Sequence, residues 1–572
     1  MKRARTVVLV AGFGFFFLAV FTQGLLPAIQ PQSRYTKVSR AVRTDRGDMK
    51  WMYSNATDYT PLEANGRAVY LREGCWYCHS QYVRPVTGET LRWGPVSEVG
   101  EYAFDQPHLL GTRRIGPDLT RVGGKYSDGW HLAHYWNPRM LTPDSIMPRY
   151  KHLFEGEWTA DVVTDSQGRK TLQQDEETRK LFDFGNKVTF NLTPNQDGLL
   201  FVPDDAKGKY PIIFTPNNEF TGKQVHFVTE SDDLRGLVAY VQKLGMNRGK
   251  WRDTFEPQLL TIESLSIPED PEWIDDGKRI YEHRCEGCHG AKGDGNGPAA
   301  TFLAVRPRNF TLGEFKFRHT PSGSLPTDGD LLQTITRGVR GTAMPSWHML
   351  TEKDRLALIQ YIKYDLAVDR SDPKHPVSYF VEDPPEQPIY IGLVPQATDE
   401  VIEHGHDIYQ KARCWECHGN DGAGDGPKAN TLTDDWGFPI EPANFVKGIF
   451  KSGPLVTDIY RTITTGLNGT PMPSYHDILG DDDRWALSYY VLTFSAYRAP
   501  GTGDPLAISE ADRAALDDPD MPAASPADAY KPSEQKFGKA PDVALIRNLG
   551  MKTLVPSANS KPAPAAAQEK PN

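Results

Sequence analysis

All six cysteines of this 572-residue chain fall in three copies of one motif, and none is left over. The copies are Cys75-Trp-Tyr-Cys78-His79, Cys285-Glu-Gly-Cys288-His289 and Cys414-Trp-Glu-Cys417-His418. C-x-x-C-H is the attachment signature of c-type haem: two thiols add to the haem vinyl groups, and the adjacent His is held under the iron. A short loop is needed to bring both thioethers and the imidazole to one porphyrin edge. A zinc site would pair its C-x-x-C groups with one another, and a redox dithiol needs no following His. The spacing therefore predicts three covalently bound haem c groups, on Cys75 and Cys78, Cys285 and Cys288, and Cys414 and Cys417. Their proximal ligands are His79, His289 and His418.

Each iron takes a sixth ligand or keeps an open position, and methionine is the usual donor in small electron-transfer cytochromes. Met344 and Met472 lie in Gly341-Thr-Ala-Met-Pro-Ser-Trp347 and Gly469-Thr-Pro-Met-Pro-Ser-Tyr475. Met147 lies in Ser145-Ile-Met-Pro148. A lone methionine is ordinarily core filler. Recurrence after each haem motif instead marks Met147, Met344 and Met472 as iron ligands. His348 and His476 follow the last two methionines; the first unit has Lys151 at that offset. They read as surface or supporting histidines.

Around these motifs the chain repeats. Gly66 and Tyr70, Gly277 and Tyr281, and Gly405 and Tyr409 precede the three motifs in helix-like stretches. Asp233 to Tyr240, Asp354 to Tyr361 and Asp483 to Tyr490 begin helices after the methionines. Two helices crossing at small and aromatic residues, with haem between, resemble the class I cytochrome c fold. The expected architecture is mainly α, with that fold three times. The Gly-Pro pairs Gly116-Pro117, Gly297-Pro298 and Gly426-Pro427 are expected to offer a carbonyl to each proximal His. Pro307-Arg-Asn-Phe310 and Pro442-Ala-Asn-Phe445 are expected at the propionate edge.

Lys2, Arg3 and Arg5 precede an uncharged run from Val7 to Leu26. At about 1.5 Å per residue it spans a hydrocarbon core of about 30 Å. The run exceeds the usual signal-peptide core and no small-x-small site follows, so it reads as an uncleaved anchor. The basic cluster predicts a cytoplasmic N-terminus, a single pass through the bacterial inner membrane and periplasmic haem domains. With 64 basic and 74 acidic residues, the mild acidity argues against nucleic acid as a partner.

The expected domains are an anchor at 1–30, cytochrome c domains at 50–247, 270–366 and 398–498, and a disordered Pro/Ala-rich tail at 499–572. The first domain carries an insertion at about 155–230, where alternating stretches such as Val188–Leu192 between turn residues predict β structure. Residues 246–270 and 366–398 read as linkers, the first leaving the last two domains to hang outward as an electron antenna.

Two blocks exceed a generic haem motif. One is Tyr70-Leu-Arg-Glu-Gly-Cys-Trp-Tyr-Cys-His-Ser-Gln-Tyr-Val-Arg-Pro85. The other runs from Arg114-Ile-Gly-Pro-Asp-Leu-Thr-Arg through Trp130-His131, followed by Asn137-Pro-Arg139 and Ser145-Ile-Met-Pro148. Together they resemble the membrane-anchored monohaem cytochrome c subunit II of cbb3-type cytochrome c oxidase, over residues 1–154 and the helix at 232–245. The chain departs from that family in its insertion and in two further haem units, which look like a fused dihaem cytochrome c. The resemblance implies an electron-transfer subunit without chemistry of its own. Its partners would be a haem–copper catalytic membrane subunit and a soluble or membrane cytochrome c, or similar, as donor. The electron-input subunit of a nitric oxide reductase, the trihaem subunit of a quinoprotein dehydrogenase and a peroxidase with one open haem are the alternatives. The Arg114–His131 block favours the oxidase, and three Met-Pro loops disfavour the peroxidase.

Overall fold

In the computed structural model the described residues are 2–25, 36–86, 89–173, 175–181, 190–195, 197–204, 212–214, 220–249, 265–499 and 501–518. They are mainly helical, with smaller sheet elements.

The N-terminal helix Lys2–Ala19 continues as a π-helical stretch, Val20–Leu25. Its segment Ala4–Gln23 has mean hydropathy 2.1 and no buried face, and it is long and apolar enough to cross a membrane.

Three helix pairs organise the rest: Pro61–Arg72 with Asp232–Lys243, Pro271–Arg284 with Glu352–Tyr361, and Asp399–Lys411 with Asp481–Thr493. Their starts are written locally. Thr60 and Glu63, like Thr351 and Asp354, form reciprocal capping boxes, and Pro61 and Pro271 occupy first-turn positions. Each pair crosses on a glycine. A Cβ on Gly66 would lie 1.7 Å from the Gly236 carbonyl oxygen, one on Gly277 2.1 Å from that of Ala357, and one on Gly405 2.1 Å from that of Ala486. Beside each crossing two tyrosines pack: Tyr70 on Tyr240 at 5.3 Å, Tyr281 on Tyr361 at 5.3 Å, and Tyr409 on Tyr490 at 5.4 Å between ring centroids. The repeated Gly and Tyr of the sequence are thus the contact points of three like helix pairs.

The insertion contains a four-stranded sheet ordered Lys170–Leu172, Phe154–Thr164, Gln224–Glu230, Leu199–Phe201. The first two pairings are antiparallel and the last is parallel. Leu200, Val202, Val225 and Phe227 form its core. Its far edge meets the second unit: the Phe201 ring lies 5.1 Å from Phe302, and the Phe201 amide donates to the Thr301 hydroxyl at 3.2 Å.

The antiparallel hairpin Lys37–Arg43 with Met49–Asn55 is an element the sequence reading lacks. Its strands are rich in Lys, Arg and Ser, which hid the buried Val38, Ala41 and Val42. Arg43 reaches the third unit, donating to the Pro454 carbonyl at 3.0 Å, while its own carbonyl accepts from the Tyr497 amide at 3.0 Å.

Both linker readings need correction at their starts. Residues 246–249 are packed: Arg248 is buried and donates to the Ser39 hydroxyl at 2.7 Å and the Val96 carbonyl at 3.1 Å. Residues 250–264 lie outside the described residues. In 366–398, Val368–Asp369 pairs with Val377–Ser378, and Ala367 and Phe380 join the second unit's core. Prolines and charges there sit at turns, while a few apolar residues secure the segment. Nor do the last two units hang free of the first. A Cβ on Gly129 would lie 2.1 Å from the Phe302 carbonyl oxygen, and one on Gly287 1.8 Å from that of Met140. The second unit also bonds to the third, through Arg318 and the Thr465 carbonyl at 2.9 Å.

The expected disordered tail is ordered at its start. Ser509 caps a helix over Glu510–Asp517, Leu516 is buried, and Lys50 donates to the Asp518 carbonyl at 2.5 Å. The tail beyond 518 lies outside the described residues.

Candidate haem-binding sites

Each C-x-x-C-H motif forms one helical turn. The His79 amide donates to the Cys75 carbonyl at 3.1 Å, His289 to Cys285 at 2.9 Å and His418 to Cys414 at 3.0 Å. A turn of this kind puts positions i, i+3 and i+4 on one face, so both thiols and the imidazole emerge together. None of the six cysteines is in a disulfide. Burial pushes the thiols of Cys75, Cys285 and Cys288 up to about 12 and that of Cys414 up to about 11. Buried thiols that stay protonated are poor redox thiolates. They fit a group to which they bond covalently.

The histidine of every C-x-x-C-H motif is oriented by a backbone carbonyl. Nδ1–H of His79 donates to Pro117 O at 2.8 Å, that of His289 to Arg308 O at 3.0 Å and that of His418 to Ala443 O at 3.0 Å. A carbonyl only accepts, so the proton sits on Nδ1 and the Nε2 lone pair is left to bind a metal. Burial also lowers the three imidazole pKa values, that of His289 to about 4, which keeps the ligand neutral. The chemistry of this donor set fits haem c iron.

The source of the carbonyl differs between units. The expected Gly-Pro pair supplies it only at Pro117. In the second and third units it comes from Pro-x-Asn-Phe, expected at the propionate edge, whose Phe also stacks on the imidazole. Phe310 lies 4.7 Å from His289 at 17°, and Phe445 4.4 Å from His418 at 19°. What the Gly-Pro pairs share is another bond. The amides of Gly116, Gly297 and Gly426 donate to the carbonyls of Cys78, Cys288 and Cys417 at 3.0, 3.1 and 3.2 Å. The acceptor lies 38 residues after the histidine in the first unit, but only 19 and 25 residues after it in the later units, in the segment that follows their glycine-rich loops. The repeated Pro-x-Asn-Phe was the available signal.

The methionine loops recur in their bonding as well. The amides of Met147, Met344 and Met472 donate to the hydroxyls of Ser145, Thr342 and Thr470 at 3.3, 3.1 and 3.3 Å. All three side chains are half-buried, and Met147 packs in the core cluster that holds Cys75. His348 and His476 are exposed; His476 Nδ1 accepts from Arg484 at 3.0 Å.

The first unit has a further cluster. Arg114 donates to Glu89 at 2.7 and 2.9 Å, to the Ser80 hydroxyl at 2.7 Å and to the Tyr82 carbonyl at 2.7 Å. Asp118 accepts from the Ser80 hydroxyl at 2.6 Å and from the Tyr82 amide at 2.9 Å. The segment following His79 is thus clamped to the block that supplies Pro117.

Residues 48–247 match the family described as cytochrome c oxidase, mono-heme subunit/FixO, and residues 272–362 match cytochrome c oxidase, cbb3-type, subunit III. The chain is a cbb3-type oxidase cytochrome c subunit with an additional cytochrome c region. Residues 402–495 match the cytochrome c family, so segments of the mono-heme subunit and of subunit III share one cbb3-type chain with a further cytochrome c. As cytochrome c, the chain binds haem c covalently and transfers electrons. Subunits of these families serve an oxidase complex and are not catalytic on their own. Among solved structures, the chain is similar to one from the Kuenenia stuttgartiensis reducing HAO-like protein complex Kustc0457/Kustc0458. Identity is 43% over 40% of this chain and 99% of that one, with a TM-score of 0.36. Thiosulfate dehydrogenase (TsdBA) from Marichromatium purpuratum, as isolated, is 18% identical over 46% of this chain and 53% of that one, with a TM-score of 0.17.

Proposed function

We propose that this chain is a trihaem relay that passes electrons from a periplasmic donor to the haem–copper catalytic subunit of a cbb3-type oxygen reductase. Cys75 and Cys78, Cys285 and Cys288, and Cys414 and Cys417 each hold one haem c, in cytochrome c domains at 50–247, 270–366 and 398–498. His79 with Met147, His289 with Met344, and His418 with Met472 would hold the three irons. When bound, each haem would supply a one-electron carrier, and a methionine donor beside histidine would favour its reduced state. Six ligands leave no open iron, so the chain relays and does not react. The observation that carries the proposal is the threefold recurrence of a cysteine pair, a carbonyl-oriented neutral histidine and a hydroxyl-anchored methionine, next to a first unit of the mono-heme subunit family.

The second unit brings its cysteine turn against Met140 of the first unit and bonds to the third through Arg318, whereas the first and third meet at the Lys37–Arg43 hairpin; this supports the order third, second, first, then the catalytic subunit. Lys2, Arg3 and Arg5 beside the apolar helix support a single pass with the N-terminus in the cytoplasm and the haem units in the periplasm.

Oxygen uptake by membranes carrying variants tests this. Cys414→Ser with Cys417→Ser should sharply slow uptake driven by the periplasmic cytochrome and spare uptake from a small artificial donor. Met147→Ala should spoil both routes by damaging the last relay site. Unchanged uptake in Met147→Ala membranes overturns the proposal.

A further inference from the structure

Between the second and third units lies a cavity of about 530 Å³, measured to its open mouth. In a chain of net charge −10, its wall gathers six cations: Lys316, Arg318, Arg337 and Arg340 from one unit, Lys451 and Arg461 from the other. Among the described lining residues Asp330 is the one carboxylate, and it is held by the Thr327 hydroxyl and His319; Asp458, itself buried, accepts from Arg461 at 3.2 Å and lies 3.8 Å from Arg337, so two of the six cations are paired. Arg318 is only 2% exposed. Its Nε donates to Pro321 O at 3.1 Å and one terminal nitrogen to Thr465 O at 2.9 Å, but Nη1 is buried without a hydrogen-bond partner. Nε of Arg461 is buried without one too. Burial, Arg308 and Lys451 push the Lys316 ammonium down to about 8. Buried guanidinium donors left unsatisfied, as at Arg318 and Arg461, are costly and call for an anion.

The wall also connects to both iron-ligand histidines by the same route. His289 stacks on Phe310, Phe310 lies 6.1 Å from Phe315, and Lys316 follows. His418 stacks on Phe445, Phe445 lies 6.0 Å from Phe450, and Lys451 follows. On the methionine side, the lining residue Leu467 donates its amide to Met472 O at 3.1 Å. Val339, next to the lining Gly338, does the same to Met344 O at 3.1 Å.

We propose that this cavity is a carboxylate-binding site shared by the second and third units, and that it receives acid side chains of the haems held at His289 and His418. It rests on the haem assignment above. The two sites are then coupled through one cluster of cations. Carboxylate on paired guanidinium donors is charge-assisted and stronger than a neutral hydrogen bond.

The test uses the full-length, haem-loaded chain in optical redox titrations at fixed pH, in buffer with and without inorganic phosphate. Removing a nearby positive charge favours the oxidised iron, so Arg318→Gln should lower the potentials of the second and third units and leave the first unchanged. Arg318→Lys should restore most of the loss. Arg461→Gln provides a second variant should Arg318→Gln fail to fold. Unchanged potentials in a folded, fully loaded Arg461→Gln or Arg318→Gln protein overturn the proposal. So do wild-type potentials that move on adding phosphate and stop moving in the variants, because the anion would then be free and not part of the haem. A haem count below three in the wild type would instead overturn the underlying assignment.

Discussion

The carbonyl oxygen of Met140 stands where a side chain on Gly287 would begin, 1.8 Å from the Cβ such a residue would carry. Gly287 separates Cys285 from Cys288, and Met140 leads into the loop of Met147. The second unit therefore presents its cysteine turn directly to the first unit's methionine loop, and Cys288 packs into the first unit's core. Gly287→Val must push the two apart, at a cost of about 1–3 kcal/mol for an overpacked contact. It should slow electron transfer between these units while leaving the three potentials in place. Rapid-mixing reduction kinetics and redox titration, run on the same sample, check this. An unchanged rate in a fully loaded variant would mean that this joint is not the path.

Phe302 closes the same joint from the other side. It is 3% exposed and lies 5.1 Å from Phe201, 6.3 Å from Phe154 and 6.5 Å from Trp136. Phe302→Ala should cost about 3–5 kcal/mol. Calorimetry should show the wild-type units melting together and the variant splitting into separable transitions. A single unshifted transition would contradict this.

Axial ligation gives a cleaner readout. Met344→His should lower one of three midpoint potentials and leave the others nearly still, because the axial ligand is a main lever on potential. If every potential stayed where it was, Met344 would not be an iron ligand.

The Arg114 cluster predicts an acid limit. Arg114, then Arg84, hold the Glu89 carboxyl down to about 2, against about 4.3 for an unperturbed glutamate. A depressed carboxylate contributes stability above its unfolded value and loses it as the pH falls from about 4.3 toward 2. Glu89→Gln should therefore melt at a lower temperature at pH 7 and lose less than wild type on acidification across that range. Thermal melts at pH 7 and pH 3 distinguish the two. Parallel pH dependence would remove Glu89 from the account.

Much of this was legible in the sequence because it is local or repeated. The helix crossings at Gly66, Gly277 and Gly405 and the tyrosines beside them keep one Gly-to-Tyr spacing, and their offsets from the haem motifs agree to within one residue. The joints were not legible. Gly287 and Gly129 are ordinary glycines until a carbonyl from another unit arrives, and no periodicity encodes a contact so distant in sequence. Segment 366–398 reads as a linker by its prolines and charges, yet the pairing of Val368–Asp369 with Val377–Ser378 and the buried Ala367 and Phe380 hold its start in the second unit. The histidine acceptors Arg308 and Ala443 were hidden because a backbone carbonyl has no residue type. Only the recurrence of Pro-x-Asn-Phe hinted at them.

The central claim is that every cysteine pair carries a haem, and the mass of the intact, denatured, matured protein tests it most directly. The account predicts the mass of the chain plus three haems. It also predicts the loss of one haem in each of the variants Cys75→Ser with Cys78→Ser, Cys285→Ser with Cys288→Ser, and Cys414→Ser with Cys417→Ser. A mass corresponding to two haems or fewer in fully matured wild-type protein would contradict it.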